Sequence, residues 1–163
     1  MKIGAMKTQR LVLTELNLGD ADFIFELLNT PLWIRFIGNK NIKTKKDAED
    51  YIRKIQQMPA FNYWVVRLLE NAVPIGVVTF MKRDYLDDLD IGFAFLEQFG
   101  KKGYAYEASK RLFDEVKSEY KKIVATVLKD NSNSIHLLTK LGLQHEKEIM
   151  INNEAVQLYS ISV

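Results

Sequence analysis

The stretch that decides the fold covers residues 91–108 and reads Ile-Gly-Phe-Ala-Phe-Leu-Glu-Gln-Phe-Gly-Lys-Lys-Gly-Tyr-Ala-Tyr-Glu-Ala. It predicts a strand, then a short turn containing Gly100 and Gly103, then the first turn of a helix. Free N–H groups at a helix start favour a phosphate or diphosphate, and Lys101 and Lys102 add positive charge. The same residues also suit a plain turn with solvated lysines. Neither a P-loop nor a dinucleotide-binding fingerprint is present.

The pattern on both sides of this stretch predicts about seven strands. Alternating or β-branched runs that read as strands occupy residues 8–16, 62–69, 75–82, 90–96, 123–128, 143–151 and 155–163. Several of them follow one another through short turns, and Asn152-Asn153 suits a tight hairpin. We therefore expect one mixed, mostly antiparallel sheet of the α/β class.

Helical patterns separate these strands, so helices are expected on both faces of the sheet. Asp20 and Thr44 are expected to cap the first and third helices, and Asp47 follows Thr44 at the capping-box spacing. A helix over about residues 104–120 follows the glycine turn. Asp130 or Asn131 caps the last helix, which Gly142 ends.

Length and composition exclude several protein classes. The 163 residues fit one domain, residues 1–163, and 47% hydrophobic residues supply a core. The near-balance of 23 Lys and Arg against 21 Asp and Glu argues against a nucleic-acid binder. The absence of cysteine excludes disulfides, thiolate metal sites and a cysteine nucleophile. No signal peptide or membrane span is evident, so a cytoplasmic location without membrane contact is expected.

Two segments resemble motifs of the GNAT (Gcn5-related) N-acetyltransferases. Gly103-Tyr104-Ala105 resembles the end of motif A, and residues 103–108 look like the version of the RimJ/RimL-type branch. Residues 131–134, Asn-Ser-Asn-Ser, and residues 140–143, Lys-Leu-Gly-Leu, resemble motif B. Residues 9–13 and 44–49 also look like that branch, so the resemblance covers nearly the whole chain and implies the GNAT fold. One departure is that the usual first glycine of motif A falls on Lys101.

The resemblance implies acetyl-CoA as co-substrate. No metal is expected, because the two histidines have no acidic partner at ligand spacing. The diphosphate would bind to backbone N–H groups of about Lys101 to Ala105, and the strand edge over residues 93–96 would hold the pantetheine arm. The next strand, over residues 123–128, would splay away and open the slot. The implied cofactor-binding residues are Phe93, Phe95, Leu96, Gly100, Lys101, Lys102, Gly103, Tyr104, Ala105, Asn131 and Ser134. Asn131 suits a plain helix cap equally well, and the two roles use different atoms.

Candidate catalytic residues follow from what the resemblance implies. Asp90 shares a strand face with Gly92 and is the candidate general base, directly or through water, unless it is only a charge at a strand end. Ser134 or a water molecule would donate to the departing sulfur, because Leu138 stands where many relatives carry a tyrosine.

Three further residues have predicted roles in substrate binding or in helix stability. Trp33 and Arg35 lie in the segment that closes over acceptors in relatives and are the candidate substrate-binding residues. Glu107 is expected to favour the helix dipole or to pair with Arg111 rather than to catalyse.

The expected function is direct acetyl transfer to a primary amine, since no cysteine can carry the acyl group. The acceptor, a protein N-terminus or a small-molecule amine, stays open, as does a homodimeric state. The alternative is a non-catalytic CoA-binding or regulatory module on the same fold.

Overall fold

The computed structural model describes residues 3–163. Its eight strands are β1 (Met6–Lys7), β2 (Leu11–Glu15), β3 (Phe61–Leu68), β4 (Pro74–Met81), β5 (Asp90–Phe95), β6 (Lys122–Val127), β7 (Gln144–Ile151) and β8 (Glu154–Ser162). Its five α-helices are α1 (Ala21–Leu28), α2 (Pro31–Phe36), α3 (Lys45–Gln56), α4 (Tyr104–Val116) and α5 (Ser132–Leu141). Within these described residues no helix has the length and apolar character that a membrane span needs.

The strands form one sheet in the order β1-β2-β3-β4-β5-β6-β8-β7. Only the pair β5 and β6 is parallel within residues 3–163, which confirms the mixed, mostly antiparallel α/β sheet. The prediction of seven strands missed β1, where Met6 and Lys7 pair with Leu13 and Val12. The Thr8 amide turns back onto the Leu11 carbonyl at 2.9 Å and separates β1 from β2.

Helices cover both faces of the sheet, as predicted. One core lies between the sheet and α4 and α5, and its apolar residues come from strands on both sides of β5. The other core lies between the sheet and α1, α2 and α3, and its sheet residues come from β3 and β4 and from Leu16 and Leu96 at strand ends. A small separate cluster, Leu86, Val124 and Leu158, covers the β6 and β8 part of that second face. The apolar core is therefore continuous across β5 and β6 on the α4 face only.

Most predicted helix and turn signals are confirmed. Thr44 caps α3 in a capping box with Asp47. Asn131, rather than Asp130, caps α5, and Gly142 ends that helix at a φ of +105°. The hairpin between β7 and β8 turns on residues 152 and 153, with φ values of +50° and +65°.

The prediction that the Asp20 side chain caps α1 is wrong. Asp20 occupies the cap position, but its side chain makes no cap hydrogen bond. Its carboxylate accepts from the Asn17 amide at 3.0 Å and pairs with Arg67 of β3. The bond from Asn17 belongs to a capping box on the short 3₁₀ turn Leu18–Asp20 that leads into α1, so the nearly buried Asp20 carboxylate serves that turn and Arg67 instead of α1.

Candidate functional site

A gap opens in the sheet between β5 and β6. Among residues 3–163 the two strands share one paired position, Asp90 opposite Val124. The Val124 amide donates to the Leu89 carbonyl at 3.1 Å at this end. Beyond it the strands diverge, and residues 92–95 of β5 are half-exposed although β5 lies in the middle of the sheet. This gap, which we call the slot, is the divergence that the resemblance implies.

The backbone of β5 presents polar groups to the slot. The Leu96 amide donates to Ile75 next to β4 at 2.9 Å. Since successive residues of a strand point their N–H groups to opposite sides, the amides of Phe93 and Phe95 face away from β4 and into the slot. The Leu96 amide is thus occupied, and its side chain, 3% exposed, is buried among α1 to α3. The Leu96 carbonyl accepts from the Phe99 amide at 3.0 Å, so both backbone polar groups of Leu96 are already hydrogen-bonded within the protein.

The turn after β5 ends at the open start of α4. Gly103 precedes the helix at a φ of +81°, a left-handed conformation that favours glycine, and no side chain among residues 3–163 caps the helix. The Glu107 amide donates to the Gly103 carbonyl at 3.0 Å, which is the first bond of the helix. The amides of Tyr104, Ala105 and Tyr106 precede that bond and have no acceptor within the helix. They form a cradle for an anion beside the slot.

The other predicted cradle residues lie in the same turn with different conformations. Gly100 has a φ of −71°, so it needs no glycine-specific conformation there. Lys101 has a φ of +60°, so it occupies the left-handed region at the position where the family motif has a glycine. The departure from the motif therefore changes the side chain and keeps a glycine-like backbone.

Replacing Lys101 with glycine is expected to raise the free energy of unfolding by about 1 kcal/mol, because it removes the cost of a left-handed non-glycine residue. Denaturant unfolding measures the change. Lys101→Ala removes the same charge and keeps the strain, so it should bring no gain. Lys102 does not have a positive φ, so Lys102→Gly should destabilise the protein. Equal effects of glycine at both positions would contradict the argument.

Asp90 starts β5 at the closed end of the slot and points to the face covered by α1 to α3. It is 4% exposed, and its Oδ2 accepts from Arg83 Nε at 3.0 Å. Its Oδ1 is buried and has no hydrogen-bond partner among residues 3–163. Burial raises the pKa of Asp90, and the Arg83 guanidinium opposes that rise without cancelling it. Arg83 therefore holds one carboxylate oxygen in place, and the other has no hydrogen-bond partner among the described residues.

Two tyrosines, Tyr51 and Tyr63, lie near enough to Arg83 to interact with its charge. Tyr63 of β3 lies opposite Thr79 of β4, and Thr79 lies opposite Gly92 of β5, so Tyr63 shares the sheet face of Asp90. Burial raises the pKa of Tyr63 well above its usual value, and the neighbouring Tyr51 of α3 adds to that rise. The hydroxyl groups on this face therefore stay neutral.

Asn131 and Ser134 lie at the start of α5, which follows β6. The Asn131 Oδ1 accepts from the Ser134 amide at 3.4 Å, so the amide nitrogen of Asn131 is not used by the cap. Ser134 is half-buried, and Leu138 one turn later is 1% exposed in the core. Leu138 thus takes a packing role at the position where many relatives carry a tyrosine.

The two predicted substrate-binding residues, Trp33 and Arg35, lie in different environments. Trp33 of α2 is buried, and its indole N–H has no hydrogen-bond partner among the described residues. Arg35 is exposed and pairs with Asp130 at 2.8 Å, which links α2 to the loop before α5. Asp130 directly precedes Asn131, so this ion pair joins α2 to the segment that resembles motif B.

Sequence reasoning missed Arg83 and Arg10. Met81 lies opposite Asp90 in the β4–β5 pairing, and Arg83 follows two residues later. The register of this hairpin could therefore have indicated that Arg83 lies near Asp90. The expected Glu107–Arg111 pair is wrong: Glu107 pairs with Arg10 at 2.7 Å, whereas Arg111 pairs with Glu115 at 2.6 Å. Nothing local in the sequence points to a bond between residues 10 and 107.

Comparison with known proteins identifies related sequences. Residues 10–144 match the family described as acetyltransferase (GNAT) domain. An uncharacterized N-acetyltransferase of Bacillus subtilis, YnaD, is 26% identical over 141 residues, which cover 85% of this chain and 82% of that protein.

Solved structures share the fold at lower identity. A GNAT acetyltransferase from Bacillus anthracis has a TM-score of 0.82 and 22% identity, and the match covers 97% of this chain and 98% of that one. Spermidine N-acetyltransferase from Vibrio cholerae, in complex with CoA and spermine, has a TM-score of 0.79 and 21% identity, with coverage of 95% and 96%. RimL, a ribosomal L7/L12 alpha-N-protein acetyltransferase in complex with CoA, has a TM-score of 0.83 and 12% identity, with 98% of each chain covered.

Proposed function

Because the chain belongs to the GNAT acetyltransferase family, we propose that it transfers the acetyl group of acetyl-CoA directly to a primary amine. The observation that carries the proposal is the slot between β5 and β6, which opens beside the uncapped start of α4. The amides of Phe93 and Phe95 supply hydrogen-bonding groups for an extended thioester arm. The amides of residues 104–106, with the lysines at 101 and 102, supply a cradle for its diphosphate. These groups fit acetyl-CoA.

Bound acetyl-CoA supplies the activated acetyl group, and the residues of this chain direct its transfer. A slot-facing amide of β5 stabilises the carbonyl oxygen as it gains negative charge during attack. Asp90 accepts the proton that the amine loses, through its unpartnered Oδ1 or through a water molecule, while Arg83 fixes the other oxygen. Ser134 or a water molecule donates to the departing sulfur. Asn131 contributes its free amide nitrogen to CoA.

The proposal also covers the class of amine that accepts the acetyl group. The acceptor would enter from the α1 to α3 face, where Trp33 and Arg35 lie and where the apolar core stops at β5. The motif over residues 103–108 favours the RimJ/RimL-type branch, so a protein N-terminus, such as that of a ribosomal protein, is one candidate. The spermidine N-acetyltransferase of similar fold makes a small-molecule amine the other.

An acceptor screen tests this proposal. Thiol release from acetyl-CoA is measured with peptides that carry free N-termini, with polyamines and with aminoglycosides. We expect release that depends on one acceptor class and that disappears when the same peptide is acetylated at its N-terminus or the same amine is blocked. Acceptor-independent release, or failure of the protein to bind acetyl-CoA, would contradict the proposal.

A further inference from the structure

We propose that Arg10 is a positioning residue that holds the turn before α4 in the conformation that binds a diphosphate. The inference rests on the proposed function, because it assigns the turn to CoA. It concerns a residue that precedes β2 and lies far from the turn in sequence. Arg10 acts on the turn through residues 102–104 rather than by touching the acetyl group.

Arg10 contacts consecutive residues of the turn. Its Nη1 donates to the Lys102 carbonyl at 3.0 Å. A Cβ on Gly103 would lie 3.3 Å from its Nη2, so the guanidinium packs directly against that glycine. Its Cζ lies 4.4 Å from the centre of the Tyr104 ring, within cation–π distance. One rigid guanidinium therefore sets the position of the backbone just where the free amides begin.

Arg10 is itself fixed by α4 and by Leu69, the residue after β3. Its Nε donates to Glu107 Oε1 at 2.7 Å, and its own amide donates to Glu107 Oε2 at 3.0 Å. The Thr8 hydroxyl also donates to Glu107, and the Leu69 amide donates to the Arg10 carbonyl at 2.9 Å. Burial alone would raise the pKa of Glu107, but the hydrogen bonds from Thr8 and Arg10 outweigh it and lower that pKa. Glu107 thus stays charged and holds Arg10 in place.

The turn needs such support because its backbone is costly. Lys101 and Gly103 both have positive φ values, of +60° and +81°, and the left-handed conformation of Lys101 is disfavoured in a free chain. Anion binding requires several amides to converge before the ligand arrives. The bond from Arg10 to the Lys102 carbonyl lies between the two left-handed residues and opposes their relaxation.

The experiment compares Arg10→Ala with Arg111→Ala. Arg111 is the matched control, because its Nε ties the same N-terminal segment to α4 through the Lys7 carbonyl at 3.2 Å without contacting the turn. Backbone amide exchange is measured in the free protein at Gly100 and Glu107, whose amides donate to the Glu97 and Gly103 carbonyls at 2.9 Å and 3.0 Å on either side of the turn. KM for acetyl-CoA, KM for the acceptor and kcat are measured for both variants.

We expect Arg10→Ala to speed exchange at the turn and to raise KM for acetyl-CoA by about tenfold, with little change in kcat or in acceptor KM. Arg111→Ala should do neither. Arg10→Lys keeps the charge but lacks the planar fork, so it should behave like Arg10→Ala. Retention of tight binding by Arg10→Lys, or unchanged exchange in Arg10→Ala, would overturn the inference. The exchange measurement needs no ligand, so the two failures are distinguishable: unchanged exchange in Arg10→Ala overturns this inference, whereas a wild-type protein that does not bind acetyl-CoA overturns the proposed function.

Discussion

Replacing Gly103 with aspartate is expected to abolish the thermal stabilisation of the protein by acetyl-CoA. For the wild type at about 100 times Kd, mass action gives about 2.7 kcal/mol of stabilisation. That corresponds to a rise in Tm of about 5–10 °C for a chain of this size. In Gly103→Asp we expect a rise of less than about 1 °C under the same conditions, because binding at that ligand concentration is nearly lost.

The physical reason is that a carboxylate would take the place of the ligand. Gly103 precedes the uncapped first turn of α4, where residues 104–106 have free amides. An aspartate at this position can accept from those amides and repels a diphosphate. Its φ of +81° adds strain that any side chain other than glycine would share.

Gly103→Asn is the matched control for this prediction. Asparagine has nearly the same size and tolerates the left-handed conformation about as well as aspartate, but it carries no charge. We expect Gly103→Asn to keep most of the acetyl-CoA shift. A full shift in Gly103→Asp would show that the turn does not hold the diphosphate.

Replacing Asp90 with asparagine is expected to lower kcat by about 10²–10⁴-fold while acetyl-CoA binding stays unchanged. The Oδ1 of Asp90 is buried without a partner among residues 3–163, and asparagine cannot accept a proton at neutral pH. Steady-state kinetics measure kcat, and the acetyl-CoA shift in Tm measures binding and folding together. Asp87→Asn is the control, because Asp87 is an exposed carboxylate on the loop before β5.

The pH profile separates a base from a structural charge. Burial raises the pKa of Asp90, although Arg83 opposes the rise, so the carboxyl becomes protonated at a higher pH than an ordinary aspartate. The wild-type kcat should therefore fall as the pH drops through that raised pKa, because the protonated form cannot accept the proton of the amine. This acidic limb should be absent from the residual activity of Asp90→Asn. An unchanged acidic limb in the variant would rule out Asp90 as the base.

Local signals in the sequence predicted local structure well. Thr44 with Asp47, Gly142, and Asn152-Asn153 each act through neighbours within a few residues, and the structure confirms them. The strand, turn and helix over residues 91–108 also follow from spacing, and the GNAT fold followed from the motifs that this stretch carries.

Contacts between residues that are far apart in the sequence could not be predicted from local signals. Asp20 pairs with Arg67 and Glu107 pairs with Arg10, because sheet register and helix packing bring them together. Glu107 had a plausible local partner in Arg111 and binds Arg10 instead, whereas Asp20 keeps a local bond to the Asn17 amide and adds the ion pair with Arg67. The conformation of Lys101 also needed the structure, because the sequence alone left open whether a lysine would adopt the backbone of the glycine it replaces.

The single paired position between β5 and β6 divides the sheet into two panels, one of five strands and one of three. The core under α4 packs against both panels and connects them, whereas the opposite face has a separate apolar cluster on each panel. The apolar residues of α1 to α3 pack on the larger panel, and the exposed Arg35–Asp130 ion pair links α2 to the loop after β6. The sequence of these helices can therefore diverge to suit new acceptors while the seam between the panels, where the thioester arm would lie, keeps its geometry.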